Sequence, residues 1–200
     1  ALASGESRWL TGEAARQDVQ RLRARASAIL TGIGTLLADD PNLNVRLPEA
    51  ERQPLRVILD TTLRTPPTAQ TLRLPGSVLI FTAIADAALH APLQAAGAEI
   101  VVTPRAEQGL NLRAVMAELT RRECNEIHVE CGPTLAGALL QAGLLDELVV
   151  YMAPVLLGDK AHGLFQLPEL ARMSERTTLE VVETRAVGRD WRLTLRSMSL

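Results

Sequence analysis

Apolar residues recur along this chain with two periods, and the switches between them mark out its elements. Over residues 12–25, Ala15, Val19 and Leu22, followed by Ala26, fall at helical spacing. Thr11 is placed to cap that helix, with Ala14 where a capping box would carry Glu. Short apolar runs then alternate with helical stretches. Strands are expected over 28–30, 55–59, 77–82, 98–102, 126–130 and 147–152. Helices are expected over 35–38 (a single turn), 83–97, where Pro92 is a possible break, 111–122 under an Asn111 cap, and 133–143, opened by Pro133 and stopped by Gly143. Residues 158–175 read as loop with helical pieces. Residues 178–183 and 190–195 alternate on either side of Val187-Gly188-Arg189, the pattern of an antiparallel hairpin. Together these predict one α/β domain over 1–200, with a mixed, mostly parallel sheet and an antiparallel C-terminal end.

Composition narrows what such a domain can do. Aromatic residues make up 2% of the chain, too few for the stacking platforms of a single-strand nucleic-acid binder. A net charge of -2 gives no general attraction to polyanions, so no nucleic-acid partner is expected. No apolar stretch reaches the roughly 18 residues of a membrane span, and no membrane partner is expected either. The two cysteines, Cys124 and Cys131, lie in or beside one strand and suit neither a disulfide framework nor a zinc site, so a reducing, cytoplasmic setting is expected. The chain opens without methionine and without the features of a signal peptide, and reads as a fragment or a processed product.

The candidate chemistry begins where the apolar run Ile127-His128-Val129 ends on Glu130. A carboxylate at that point is costly unless paired, and the carboxyl end of a strand faces the crevice where open α/β sheets bind ligands. Gly132-Pro133-Thr134 follows at a helix start and suits either a phosphate or a plain strand-to-helix turn. Ala136, Gly137 and Ala138 would allow close approach along the first turns. Gly32-Ile33-Gly34 starts like a dinucleotide fingerprint but has Leu37 at the third glycine, which leaves the Thr35 hydroxyl as the feature of interest. The segment 35–46 holds Asp39, Asp40, Asn42, Asn44 and Arg46, so one carboxylate could cap a turn and leave another for a ligand. Arg46 and Arg23 are candidates for a phosphate clamp. His90, His128 and His162 do not cluster, and no metal site is expected. Hydroxyls, acids and phosphate cradles without a nucleophile point to a borrowed cofactor.

These residues resemble the reductase domain of the bifunctional riboflavin-biosynthesis pyrimidine deaminase/reductases. The resemblance is carried by Ser4-Gly5-Glu6-Ser7-Arg8-Trp9-Leu10-Thr11, by Ala38-Asp39-Asp40-Pro41 within 35–46, by Val57-Ile58-Leu59-Asp60, by Glu130-Cys131-Gly132-Pro133-Thr134-Leu135 and by Asp146-Glu147-Leu148 with Ala153-Pro154 and Leu157-Gly158. It implies a three-layer, dihydrofolate-reductase-like fold and NADPH-dependent reduction of the ribosyl group of 5-amino-6-(5-phosphoribosylamino)uracil. It implies substrate contacts from Ser7, Arg23, Leu43, Arg46 and Glu130. It implies NADPH contacts from Trp9, Thr35, Asp39, Thr61, Gly132, Pro133, Thr134, Leu135, Ala136, Gly137 and Ala138. Asp39 is then the catalytic candidate that orients or transfers a proton, with Glu130 holding the amino-pyrimidine edge. The resemblance also implies a homodimer, and an upstream strand and zinc deaminase domain that this sequence does not include. Reduction of a pterin, and a nucleotide-binding module without turnover, are the alternatives.

Overall fold

The structure is a computed structural model that describes residues 2, 9–161 and 163–197. Ser7 and His162 therefore lie outside the described residues. The mixed, mostly parallel arrangement takes the form of a five-stranded parallel sheet and a three-stranded antiparallel one. The chain divides into two compact units, residues 20–132 and residues 1–19 with 133–200.

The first unit holds the parallel sheet, in the order β4-β3-β2-β1-β5. Its strands are β1 (Ala28–Gly32), β2 (Leu55–Leu59), β3 (Val78–Thr82), β4 (Ala98–Val102) and β5 (Ile127–Val129). Every residue of β3 is buried, as is every residue of β2 after Leu55. That is why these runs are continuously apolar instead of alternating: a parallel sheet is covered on both faces. Ile58, Val78, Ile80 and Ala98 pack with Leu36, Ala69 and Leu93 to form the core. β1 runs two residues beyond the expected 28–30, because Thr31 and Gly32 still pair with Ile58 and Leu59.

The helices follow their caps. α5 (Leu112–Arg121) starts where Asn111 accepts a hydrogen bond from the Ala114 N–H at 3.1 Å. α4 (Ala87–Ala95) starts four residues later than the apolar pattern indicated, because Asp86 caps it through the Ala88 N–H. Pro92 stays inside that helix without ending it. α2 (Ile33–Asp39) begins directly after Gly32, two residues before the single turn expected over 35–38.

One feature of this unit runs against the apolar pattern. Arg56, in β2, is 1% exposed. Its guanidinium donates to the carbonyls of Thr71 (2.6 Å), Leu74 (2.9 Å), Pro75 (3.1 Å) and Gly76 (2.7 Å). It thereby fastens the one-turn helix α3 (Gln70–Arg73) and the bend after it, which no periodicity announces. Gly76 has φ +110°, and a Cβ there would stand 3.2 Å from the guanidinium, so the bend requires glycine.

The second unit holds β6 (Glu147–Met152), β7 (Leu179–Val187) and β8 (Asp190–Ser197), ordered β6-β8-β7 and antiparallel throughout. β7 extends four residues past the expected 183. A register shift between Val181 and Glu183 reverses the alternation of facing and hides the extension from the pattern. The hairpin closes through Gly188-Arg189, with Gly188 at φ +64° as a two-residue turn requires. The first part of α1 (Glu13–Arg25) carries Asp18 into this unit. Tyr151, Arg192 and Arg185 lie in register across the three strands. All three converge on Asp18, at 2.6, 3.1 and 2.9 Å. Burial works to raise the Asp18 pKa, yet the hydrogen bonds from Tyr151 and Arg185 and the two cationic charges outweigh it and lower it.

Arg56→Met should leave the carbonyls of Thr71, Leu74, Pro75 and Gly76 without their shared donor and cost roughly 3 kcal/mol of unfolding free energy. Urea unfolding checks this. A loss under about 1 kcal/mol would mean water takes over the guanidinium's role.

Candidate active site

Glu130 follows β5 directly, and its backbone is locked to the neighbouring strand. Its N–H donates to the Leu30 carbonyl (2.9 Å), and the buried Thr31 hydroxyl donates to its carbonyl (2.7 Å). The side chain meets Arg23 in a two-point fork: Nε to Oε1 and Nη2 to Oε2, both 2.6 Å. Arg23 spends a further N–H on the Asn44 carbonyl (2.9 Å). His128, two residues back on the same face of β5, places Nε2 3.1 Å from Oε1. Burial pushes the Glu130 pKa up, but the hydrogen bonds from Arg23 and His128 win and hold it at about 2. Glu130 is thus a fixed anion at neutral pH that accepts hydrogen bonds and donates none. The sequence paired Arg23 with Arg46 as a phosphate clamp, whereas here Arg23 is engaged with Glu130.

Of the two acids in the segment 35–46, Asp40 is engaged within the chain. Asp40 closes α2 in a left-handed conformation (φ 41°), and its Oδ1 accepts the Gln70 N–H at 2.9 Å. Asp39, at the last position of α2, is exposed and engaged by no partner among the described residues. Leu43 sits at φ 49° with its side chain 1% exposed. Two glutamine side chains hold the chain that follows it. Gln53 bonds both the N–H (2.9 Å) and the carbonyl (3.0 Å) of Val45, and Gln20 accepts the Arg46 N–H (2.8 Å). Neither glutamine carries a sequence signal. Arg46 itself is exposed, with its guanidinium unpartnered among the described residues.

Thr35 joins this segment to the residues after β5. Its Oγ1 accepts the Gly132 N–H (3.1 Å), which leaves the hydroxyl proton free to donate outward. A Cβ at Gly132 would meet only that oxygen, at 3.8 Å, and a Cβ at Gly34 would meet nothing within 4 Å. The backbone here is open, and a phosphate or ribose group fits what the residues offer. Thr61 follows the buried Asp60, whose Oδ2 is taken by the N–H and hydroxyl of Thr65, both at 2.7 Å.

The remaining cofactor candidates belong to the second unit. Trp9 is 70% exposed, with the Arg16 guanidinium 4.8 Å from the centre of its ring. Pro133, Thr134, Leu135, Ala136, Gly137 and Ala138 form the first turns of α6 (Pro133–Gln141). The close approach that the small residues allow is used within the unit. Gln166 donates its N–H to the Pro133 carbonyl (2.9 Å) and receives the Thr134 hydroxyl (2.8 Å). A Cβ on Gly137 would overlap the Gln166 carbonyl oxygen. Among the described residues no three His, Cys, Asp or Glu side chains gather as metal ligands, and no helix is long and apolar enough to cross a membrane.

With this geometry in hand, the chain can be set beside known proteins. A family model described as the RibD C-terminal domain matches residues 1–193. The riboflavin biosynthesis protein RibD of Escherichia coli K12 is 42% identical over 95% of this chain and 54% of its own length. A Buchnera aphidicola protein named 5-amino-6-(5-phosphoribosylamino)uracil reductase is 31% identical over 97% of this chain and 98% of itself. Among solved structures, Acinetobacter baumannii RibD superposes with a TM-score of 0.86 at 36% identity, covering 100% of this chain and 54% of that one. The chain spans about half the length of several of these relatives.

A carboxyl whose folded pKa lies at about 2, against an ordinary 4.5, contributes roughly 3 kcal/mol of stability above pH 4.5 and loses it as pH falls toward 2. Glu130→Gln should therefore cost about that much near neutral pH, and the gap to the parent should close as pH drops from about 4.5 to about 2. Chemical unfolding at a series of pH values measures it. A gap that stays constant to the acid end of that range would remove the ionised pair.

Proposed function

The chain belongs to the RibD C-terminal domain family, matched over residues 1–193, and from that premise we propose that it is an NADPH-dependent reductase in riboflavin biosynthesis. Its fold is dihydrofolate-reductase-like. The proposed reaction converts the ribosyl group of 5-amino-6-(5-phosphoribosylamino)uracil to the ribityl form. The observation that carries this reading is the ionised, Arg23-clamped carboxylate of Glu130. An acceptor that cannot donate suits the N–H groups along an aminopyrimidine edge. Such a site discriminates, because a ligand lacking those donors would cover an acceptor direction of the carboxylate without filling it.

The other roles follow from what each side chain has left to offer. Arg46, exposed and unpartnered among the described residues, receives the substrate phosphate in charge-assisted hydrogen bonds. Asp39 is the free carboxylate of its pair, and it orients or passes the proton that the reduced sugar needs. Ser7 and Leu43 complete the proposed substrate contacts, Leu43 through its backbone, since its side chain is buried. The hydroxyl of Thr35, the open backbone at Gly132 and the hydroxyl of Thr61 are the proposed NADPH contacts of the first unit; those of the second are the ring of Trp9 and the first turns of α6, Pro133, Thr134, Leu135, Ala136, Gly137 and Ala138, with Gly137 limited to its side away from Gln166. NADPH, when bound, supplies the hydride. The free, half-buried thiols of Cys124 and Cys131 suit the cytoplasm.

We also place a homodimer on the second unit. Opposite the row of Tyr151, Arg192 and Arg185, β6, β8 and β7 present Val150 with Leu193, Met152 with Trp191, and Leu148 with Leu195 and Val181. Trp191 is 48% exposed and Met152 53%, and this apolar face is the proposed contact with a second copy. Sedimentation at micromolar concentration should give a species near twice 21.6 kDa. A sharp monomer would refute the dimer.

Loss of nicotinamide absorbance in the presence of the phosphorylated aminouracil substrate tests the reaction, with NADPH expected to outperform NADH. Arg46→Ala should raise the substrate KM roughly tenfold or more and erase the preference for phosphorylated over dephosphorylated substrate. An intact preference would take Arg46 out of the site, and parent protein that consumes no NADPH would take away the reaction.

A further inference from the structure

The Glu130 carboxylate has a limited number of acceptor directions, and the chain fills most of them unequally. A carboxylate offers about four, two on each oxygen. Oε1 receives Arg23 Nε at 2.6 Å and His128 Nε2 at 3.1 Å. Oε2 receives Arg23 Nη2 at 2.6 Å and nothing else among the described residues. Since Glu130 is an anion and accepts only, the hydrogen between it and His128 belongs to Nε2. Nε2 therefore carries a hydrogen, which in the neutral imidazole is the Nε2–H tautomer.

We propose that His128 is a positioning residue for substrate recognition: by filling the second direction of Oε1, it leaves Oε2 as the oxygen with an open direction, so that the substrate's donor is received there and in one orientation. This rests on the reading that Glu130 takes a donor from the aminopyrimidine. His128 acts through Glu130 and need not touch the substrate. Without it, the carboxylate would offer a second open direction, on Oε1, and the bound substrate would divide between two poses, of which one presents its sugar correctly. Arg23 cannot supply this selection, because its fork treats the two oxygens alike. β5 supports the role, since His128 pairs in register with Ile29 of β1 and its ring is fixed by a strand instead of a loop.

The test compares His128→Leu, which cannot donate, with His128→Gln, whose amide can. In steady-state assays with the phosphorylated aminouracil and NADPH, H128L should lower kcat and the substrate KM together, roughly three- to tenfold, the range by which about one hydrogen bond favours the unproductive pose, because substrate held there occupies the site without reacting. The KM for NADPH should stay unchanged, and H128Q should return kcat and the substrate KM to within about twofold of the parent. Carbon-13 shifts of the His128 ring in the parent protein should report the Nε2–H tautomer, a reading that needs no variant to fold. An unchanged substrate KM in H128L, equal damage in both variants, or the Nδ1–H tautomer would each overturn the proposal while leaving the reductase reading intact. A parent protein that turns over no substrate but shows the Nε2–H tautomer would overturn the reductase reading and the substrate role of His128 with it.

Discussion

A carboxylate withdrawn from water must be paired, and this chain meets that requirement twice with one helix. α1 carries Asp18 as an acceptor for Tyr151, Arg185 and Arg192 in one unit, and Arg23 as the donor to Glu130 in the other. In both clusters the pairing outweighs the burial that would otherwise favour the neutral acid, so both acids are held ionised. Buried ion pairs in general can be replaced by well-packed apolar groups without loss of stability. The Glu130 pair differs in that its carboxylate keeps an open acceptor direction on Oε2, which an apolar substitute could not provide.

The elements that the sequence displayed plainly are those whose cause is local. The Asn111 cap and Pro133 at the opening of α6 each depend on neighbours within a few residues. What stayed hidden depends on partners far along the chain. Arg56 reads as an outward residue at a strand start, and only the carbonyls of residues 71–76 explain its burial. Asp18 reads as one more polar residue on a helix, and its partners lie more than a hundred residues away. The register shift in β7 inverted the alternation that the pattern relied on.

At the site, the identity of Glu130 was legible but its partnership was not. A charge at the end of an apolar strand signals that something pairs with it, and nothing in the spacing says that the partner is Arg23 and not a ligand. Gly137 shows the converse. Small residues on α6 suggested room for a cofactor, yet at Gly137 the room is taken by Gln166 of the same chain. Smallness at a position records that something approaches closely, without recording what.

The place of β5 in the sheet has a consequence for how the protein assembles. β1 meets β2 through pairs 27 residues apart (Ala28 with Leu55), but it meets β5 only when residues 99 apart in sequence come together. Closing a loop that long carries an entropic cost that neighbouring strands do not bear, so the order of chain growth and the order of loop closure both place β5 last in its sheet. It is also the shortest of the five strands, at three residues, and an edge. Glu130 therefore stands directly after the shortest and outermost strand of an otherwise deeply buried sheet. Amide hydrogens of β5 should exchange before those of β2 and β3, and a ligand that bridges Glu130 to its surroundings would slow that exchange first.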